Sequence, residues 1–469
     1  MSRAQGVLGA ARAPEAFLSP MRIFSLLLPA GSLCFAILLG LPGAIYAPDA
    51  LHYRLLALGQ RNGVPAPFSA RIRGPARAGW LGRVSGLGVD TGFLLLGIVC
   101  LVALLALIAG LLWSWRAPIA IFAGIFLMPF WIDIFHDYYL PDLLHAAILA
   151  AILLCLLFGH TSLALLLLFP AYLARESTVL VALCLVFATW RRIPVRPAVI
   201  GVLAMLGGGL VSRYYAQAGP ASVHGLTGGS YILGKLVWNL FRNVIGVPLW
   251  SNTLPECSPI WVAALPHGYH LGAVRLIGLC PPSLWGPART VLSWFGVFGI
   301  GPALALALWR RLVSPAALSG RLWRRPGFSA EQEPPVSAPA STEQIHGLGG
   351  EPRFSTGFVI VFRFCFVYGV ISLALAPLLG ASVDRLVDYG WPFYFVLLPW
   401  FIVASRTLPG RRSACILLLH LLTCWMAWLG FWHHGVGDLS AALAVLVLNG
   451  LGYALVRRYY SISSMNPPW

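Results

Sequence analysis

Long runs of apolar residues recur along this 469-residue chain, and short polar or basic segments separate them. A membrane-spanning helix needs about 20 predominantly apolar residues. The pattern therefore predicts an all-α fold, a polytopic transmembrane helical bundle of about 12 spans. The predicted spans are residues 23–46, 92–112, 117–132, 142–158, 161–174, 177–190, 197–216, 285–308, 355–379, 390–404, 413–431 and 439–456.

Composition excludes a soluble globular domain, because 59% of the residues are hydrophobic and only 10% are charged. The net charge of +17 gains its meaning from its distribution between loops. Short basic loops fall on one side of the predicted bundle, as the positive-inside rule requires of cytoplasmic loops. We therefore predict a multi-pass protein of the inner (plasma) membrane with both termini cytoplasmic, and no nucleic-acid partner. The first apolar run is too long for a signal peptide and is interpreted as an uncleaved anchor.

A segment rich in Pro, Ser, Ala and Glu divides the chain into two modules. Residues 309–354 are predicted to be a disordered cytoplasmic linker. Residues 1–308 would form an N-terminal catalytic module with outer loops 47–91, 133–141 and 213–284. Residues 355–469 would form a C-terminal module of four spans. Cys257 and Cys280 share one outer loop, where an oxidising compartment permits a disulfide; the sequence leaves this pairing open.

A charged cluster follows the first predicted span directly. Asp49, His52, Tyr53 and Arg54 place a carboxylate, an imidazole, a phenol and a guanidinium within six residues. Charged groups at the mouth of a span are costly to place and are usually functional. The leucines around them predict a short amphipathic helix that lies along the membrane interface.

Later loops on the same predicted side carry further polar residues. For some of them a purely structural role stays open. Asp142 suits the first turn of a helix as a cap, and Arg175 with Glu176 suits a structural ion pair at a hinge. The remaining candidates are His136, Asp137, Arg213, Lys235, Arg242 and Arg385.

Acids, cations and aromatic rings at one membrane face fit the transfer of a group from a lipid phosphate to an acceptor. A carboxylate would accept the proton of the attacking hydroxyl as general base. Guanidinium groups would bind the departing phosphate and neutralise its charge. An amphipathic surface helix would let a membrane-dissolved donor enter from the side.

The order of these features resembles the GT-C class of integral-membrane glycosyltransferases, which have an acid just past the first span in a long outer loop. Ala47-Pro-Asp49-Ala-Leu-His-Tyr53-Arg54 is similar to that pattern, and so are Asp133 to Asp142 followed by Leu173-Ala-Arg175-Glu176. The resemblance covers about residues 20–215. The sequence departs from the family pattern after Asp49, because Ala50 stands where many members have a second acid.

The resemblance implies a polyprenyl-phosphate-linked sugar as donor and a glycan, lipid or protein acceptor, in a cell-envelope reaction among membrane lipids. It implies Asp49 as general base, with Asp137 or Asp142 positioning the acceptor. The phosphate would be bound by Arg54, Arg175, Arg213, Lys235, Arg242 and Arg385, and the substrate would be lined by His52, Tyr53, His136 and Glu176. No cofactor is predicted, although some GT-C enzymes use a divalent metal that carboxylates would bind.

Two other interpretations remain. An O-antigen polymerase or ligase type enzyme would use the large outer segment 213–284, with Arg213, Arg242, His267 and His270. A multi-span transporter or flippase would place charges inside its spans, for which Arg363 is the clearest candidate. The sequence identifies neither the sugar, the acceptor and the carrier's chain length, nor the oligomeric state.

Overall fold

The apolar runs form helices in the computed structural model of the protein. The structure describes residues 20–40, 49–62, 64–65, 68–115, 117–189, 194–216, 228–251, 257, 262–271, 274–312, 356–379, 383–404, 411–432 and 436–463. Most of the predicted linker 309–354 therefore lies outside the described residues. Its first residues belong to a helix that ends at Leu312.

The described residues of the N-terminal half form twelve α-helices in chain order. They are α1 (Pro20–Gly40), α2 (Ala50–Ala57), α3 (Arg73–Ser85), α4 (Val89–Ser114), α5 (Ile119–Phe126), α6 (Phe130–His136), α7 (Asp142–Leu157), α8 (Thr161–Leu166), α9 (Leu168–Ala174), α10 (Thr178–Ala188), α11 (Val195–Ala216) and α12 (Gly228–Asn239). A short 3₁₀ turn, Phe68–Ala70, precedes α3. A π-helical segment, Leu240–Ile245, extends α12.

In the remainder, the described residues begin with three strands, β1 (Leu249–Ser251), β2 (Ala263–Leu271) and β3 (Val274–Leu279). The helices that follow are α13 (Trp285–Gly296), α14 (Gly301–Leu312), α15 (Thr356–Leu379), α16 (Val383–Val387), α17 (Leu398–Ala404), α18 (Arg411–Trp432) and α19 (Val436–Ser463). A 3₁₀ turn (Asp388–Gly390) and a π-helical segment (Pro392–Leu397) connect α16 to α17.

The helices confirm a multi-pass helical membrane protein, but not twelve spans. Among the described residues, seven helices are long and apolar enough to cross a membrane, or eight if a bent pair counts as one span. The predicted spans 142–158, 161–174, 177–190 and 390–404 are shorter apolar helices. Asp142–Leu157 has 16 residues and is therefore about 24 Å long, less than the roughly 30 Å of a hydrocarbon core. Apolarity alone does not distinguish such helices from full spans.

The bent pair, α13 and α14, turns by 70° between its two helices. Gly299 allows the turn, because its φ of +55° lies in the left-handed region. A Cβ at this position would also collide with His420 of α18. Both requirements select glycine, and the bend carries the chain back into the bundle.

Helices from both sides of the linker share one hydrophobic core. The buried rings of Phe130, Phe298 and Phe395 pack against one another, with centroids 4.8–5.7 Å apart. At one end of this bundle α1 and α6 end, and α4 and α7 begin. We call it the site end, because the polar segments that link these helices meet there.

A small sheet in residues 249–279 departs from the all-α prediction. Its strands are antiparallel in the order β1-β3-β2. Alternate residues of β3 and the residue after it are buried, namely Leu276, Gly278 and Cys280, as expected for a half-buried strand. The strands are too short, and the region too rich in Pro, Gly and Trp, for this period to stand out in the sequence.

The sheet carries the disulfide that the sequence left open, between Cys257 and Cys280. The bridge closes a loop with a sequence separation of 23 residues. Constraining a loop of that length in the unfolded chain contributes about 3 kcal/mol to the stability of the fold.

We expect Cys280→Ser to unfold the sheet at a lower denaturant concentration, as measured by hydrogen exchange of the β3 amides. Dithiothreitol should reproduce the effect in the parent protein and leave the variant unchanged; equal sensitivity of both would contradict the prediction.

Candidate functional site

The guanidinium of Arg385 stands among three carboxylates from three separate segments. Arg385 lies 3.9 Å from Asp49, 3.8 Å from Asp137 and 3.7 Å from Asp142, measured between guanidinium nitrogens and carboxylate oxygens. Asp49 precedes α2, Asp137 follows α6, and Asp142 begins α7. The structure thus brings the three acids predicted as catalytic together at the site end, around a predicted phosphate-binding arginine.

Asp142 is the most enclosed of the three acids. It forms an ion pair with Arg175 and accepts a hydrogen bond from the hydroxyl of Tyr389. Both charged side chains are only 9% exposed, and the Arg175 guanidinium also lies over the Tyr389 ring, 4.7 Å from its centroid. Asp142 lies in the first turn of α7, as predicted, and its contacts also hold Arg175 and Tyr389 in place.

The other two acids are more accessible. The side chains of Asp49 and Asp137 are 32% and 24% exposed, and that of Arg385 is 27% exposed. All three distances from Arg385 exceed hydrogen-bond length. Among the described residues, Arg385 Nε and Asp142 Oδ2 are shielded and lack a hydrogen-bond partner. These two atoms face each other across the 3.7 Å contact between the two side chains, so each provides the charge opposite the other.

A second network, on Arg71, adjoins the first through the neighbouring residues Arg175 and Glu176. Arg71 donates two hydrogen bonds to the carboxylate of Glu176 and a third, 2.9 Å long, to the hydroxyl of Tyr53. Glu176 is 45% exposed, and partial desolvation opposes its charge, but Arg71 and Arg175 outweigh this effect and lower the pKa of Glu176 to about 2. Tyr53 is fully buried beneath this pair.

The site also contains Arg71 and Tyr389, which are not among the candidate residues that the sequence predicts. Arg71 is one of six arginines in the first outer loop, and no local motif separates it from the others. Its position against the positive-inside trend was the available signal. Tyr389 follows Asp388 in an aromatic segment that resembles a membrane-interface belt.

Lys235 of α12 faces both networks. Burial lowers the pKa of Lys235 to about 8, and the charges of Arg71, Arg175 and Arg385 act in the same direction. The ammonium is therefore protonated near pH 7 and close to titration. Its repulsion by three guanidinium groups marks a region that would accept an additional anion.

Three other predicted phosphate-binding residues have different surroundings. Arg54 pairs with Asp90, which also accepts a hydrogen bond from Tyr139. Arg213 is exposed near the end of α11. Arg242 lies over the Trp285 ring, 5.6 Å from its centroid, on the side of α13.

The two histidines predicted to line the substrate have local contacts. His52 stacks on Phe68 with ring centroids 4.6 Å apart. The Nδ1 atom of His136 lies 3.2 Å from the carbonyl oxygen of Gly40, at the end of α1. Both residues border the site end, but these contacts fix loops and helix ends.

The acid cluster does not fit a metal ion. A guanidinium occupies the centre of the three carboxylates. Within the described part of the chain, no group of three or more His, Cys, Asp or Glu side chains is arranged to hold one.

An apolar cavity of about 80 Å³ lies between α5, α14, α17 and α18. Phe298, Tyr394 and His420 are among its lining residues. It includes none of the predicted site residues.

Comparison of the chain with protein-family models, curated proteins and solved structures gives no match.

Proposed function

We propose that this chain is a GT-C-like membrane glycosyltransferase that moves a sugar from a polyprenyl-phosphate donor to an acceptor hydroxyl at the outer face of the membrane. The observation that carries the proposal is the convergence of Asp49, Asp137 and Asp142 on Arg385 at one end of an apolar bundle. The positive-inside rule, applied to the basic segments of the sequence, supports an outward orientation of that end.

The accessible acids take the catalytic roles. Asp49 accepts the proton of the acceptor hydroxyl, whose oxygen bonds to the anomeric carbon as the bond from that carbon to the phosphate oxygen breaks. The bonding pair leaves with the polyprenyl phosphate, so the reaction inverts the anomeric centre. Asp137, which is partly exposed, positions the acceptor. Asp142 is a positioning residue for Arg175, because its partners already enclose it.

Cations supply the charge that the leaving phosphate needs. The Arg385 side chain is 27% exposed, so its guanidinium is accessible to a phosphate oxygen. Lys235 lies in the combined field of Arg71, Arg175 and Arg385. Preorganised donors of this kind act where negative charge develops in the transition state.

The test supplies the purified full chain in detergent with a panel of radiolabelled polyprenyl-phosphate sugars and follows the release of free carrier phosphate. At least one sugar should give catalytic release that depends on added acceptor. The proposal would be overturned if no sugar of the panel gave release while thermal unfolding showed that the protein was folded.

We expect the loss of the Lys235 charge to determine how this reaction depends on pH. A lysine whose pKa is about 8 loses its charge as the pH rises through that value, so phosphate binding should weaken above pH 8. We expect kcat/KM of the parent protein to fall about tenfold between pH 7 and pH 9.5. Lys235→Arg, which stays charged, should remove most of this fall. A fall of the same size in both proteins would assign the titration to another group.

A further inference from the structure

Helix α3 has two chemically different faces. Its buried residues are all small: Gly74, Pro75, Ala78, Gly79 and Gly82. Its exposed face carries Arg77, Trp80, Arg83 and Val84, and Arg73 is half-buried at its first turn. Trp80 is 57% exposed and Val84 is 68% exposed. A soluble protein would seldom leave a tryptophan and three arginines on one face without a partner.

Close backbone contacts fix the direction of that face. A Cβ at Gly79 would collide with the carbonyl oxygen of Ala57 in α2, and one at Gly92 of α4 would collide with that of Ala78. The helix is therefore held tightly against α2 and α4. Its arginines cannot turn inward without breaking these contacts.

The exposed face of α3 lies beside the first turns of a spanning helix. The chain turns at Gly86 and Gly88 and returns as α4, so α3 runs antiparallel to the beginning of α4. The lipid-exposed apolar surface of α4 begins further along, with Val99 and Val102. The arginine face thus lies at the boundary between the apolar span and water, where the phosphates of a bilayer leaflet are found.

The α3 arginines differ from other arginines of the site end in their partners. Arg54, Arg71 and Arg175 each pair with a carboxylate. Within the described residues, Arg73, Arg77 and Arg83 form no such pair. Burial and the charge of Arg77 lower the pKa of Arg73 to about 10. The Nε atom of Arg73 is shielded and has no hydrogen-bond partner among the described residues.

We propose that the exposed face of α3 is a binding site for the phosphate headgroup of an anionic phospholipid in the leaflet at the site end. The three arginines attract its phosphate oxygens, and Trp80 lies beside them at the same interface. The lipid serves as a fixed boundary molecule that anchors α3, and with it α2 and the Asp49 segment, at constant depth. This role is independent of the proposed sugar transfer.

The test compares the purified full chain with Arg77→Gln/Arg83→Gln in detergent. The control is Arg61→Gln/Arg275→Gln, which removes two other exposed arginines from outside α3. Thermal unfolding is measured with added phosphatidylglycerol, phosphatidylcholine or inorganic phosphate, and native mass spectrometry counts retained lipid. Phosphatidylglycerol should stabilise the parent and control proteins. The α3 variant should bind it about 30-fold more weakly, since it lacks two of the basic groups.

Three results would overturn the proposal. The first is equal stabilisation of the α3 variant and the parent protein by phosphatidylglycerol. The second is equal stabilisation of the parent protein by phosphatidylcholine, which would mean that charge does not select the lipid. The third is an equal effect of inorganic phosphate, which would identify a soluble anion as the ligand. None of these readouts depends on whether the chain transfers sugar.

Discussion

Asp49→Asn is expected to lower sugar transfer by about 10³-fold and to leave the fold intact. An asparagine of the same shape cannot accept a proton, and the loss of a general base costs about 10²–10⁴ in rate. The Asp49 side chain is 32% exposed and lies 3.9 Å from Arg385, beyond hydrogen-bond length, so its removal leaves little unpaired charge. The measurement is kcat for carrier-phosphate release, with thermal unfolding of the same preparation.

Asp90→Asn is the matched control for this prediction. Asp90 is another acid at the site end, but it pairs with Arg54 and lies outside the Arg385 cluster. Its replacement should change kcat less than threefold. A catalytically active Asp49→Asn would exclude the base assignment. It would also favour the polymerase or ligase interpretation, in which residues 213–284 carry the chemistry.

The meeting of Asp49, Asp137 and Asp142 could be predicted from the sequence because it follows from connectivity. Each acid lies where an apolar run ends or begins, and consecutive runs alternate in direction across the bundle. Loops separated by two runs therefore lie at the same end, even when span boundaries are uncertain. The amphipathic pattern after Asp49 likewise predicts a helix, and α2 confirms it.

The choice of partners could not be predicted, because it depends on tertiary packing. Arg54 and Arg71 have similar sequence surroundings in one loop, yet Arg54 reaches Asp90 and Arg71 reaches Glu176. The difference arises from how α2 and α3 pack, which the close contact of Gly79 with the Ala57 carbonyl determines. The predicted number of spans is wrong for a related reason. The helices of residues 142–188 are apolar because neighbouring helices bury them, although each is shorter than a full span.

Arg385→Gln is the second large effect, and it should change both activity and stability. The substitution removes a candidate phosphate ligand, for which we expect a loss of about 10²–10³ in kcat/KM. It also leaves three carboxylates facing one another without the guanidinium between them. Removing one partner of a buried ion pair costs about 3–5 kcal/mol. Because Arg385 is 27% exposed, we expect a smaller loss of about 1–3 kcal/mol at pH 8.

The sign of the pH dependence separates this explanation from a general loss of packing. Repulsion between like charges acts only while the carboxylates are ionised, so protonation relieves it in the folded variant. The folded variant then binds more protons, so its stability falls as the pH rises. The deficit of Arg385→Gln should therefore be small at pH 5 and full at pH 8. Asp49→Asn/Arg385→Gln should recover stability at pH 8 without recovering activity.

Arg289→Gln is the control, because Arg289 lies over the Trp285 ring, 4.9 Å from its centroid, and outside the acid cluster. Its unfolding free energy should differ from that of the parent protein by the same amount at pH 5 and pH 8. A deficit of Arg385→Gln that is equally independent of pH would mean that Arg385 acts by packing alone. The charge of Arg385 would then not stabilise the three carboxylates, and the electrostatic argument for binding a leaving phosphate at this site would fail.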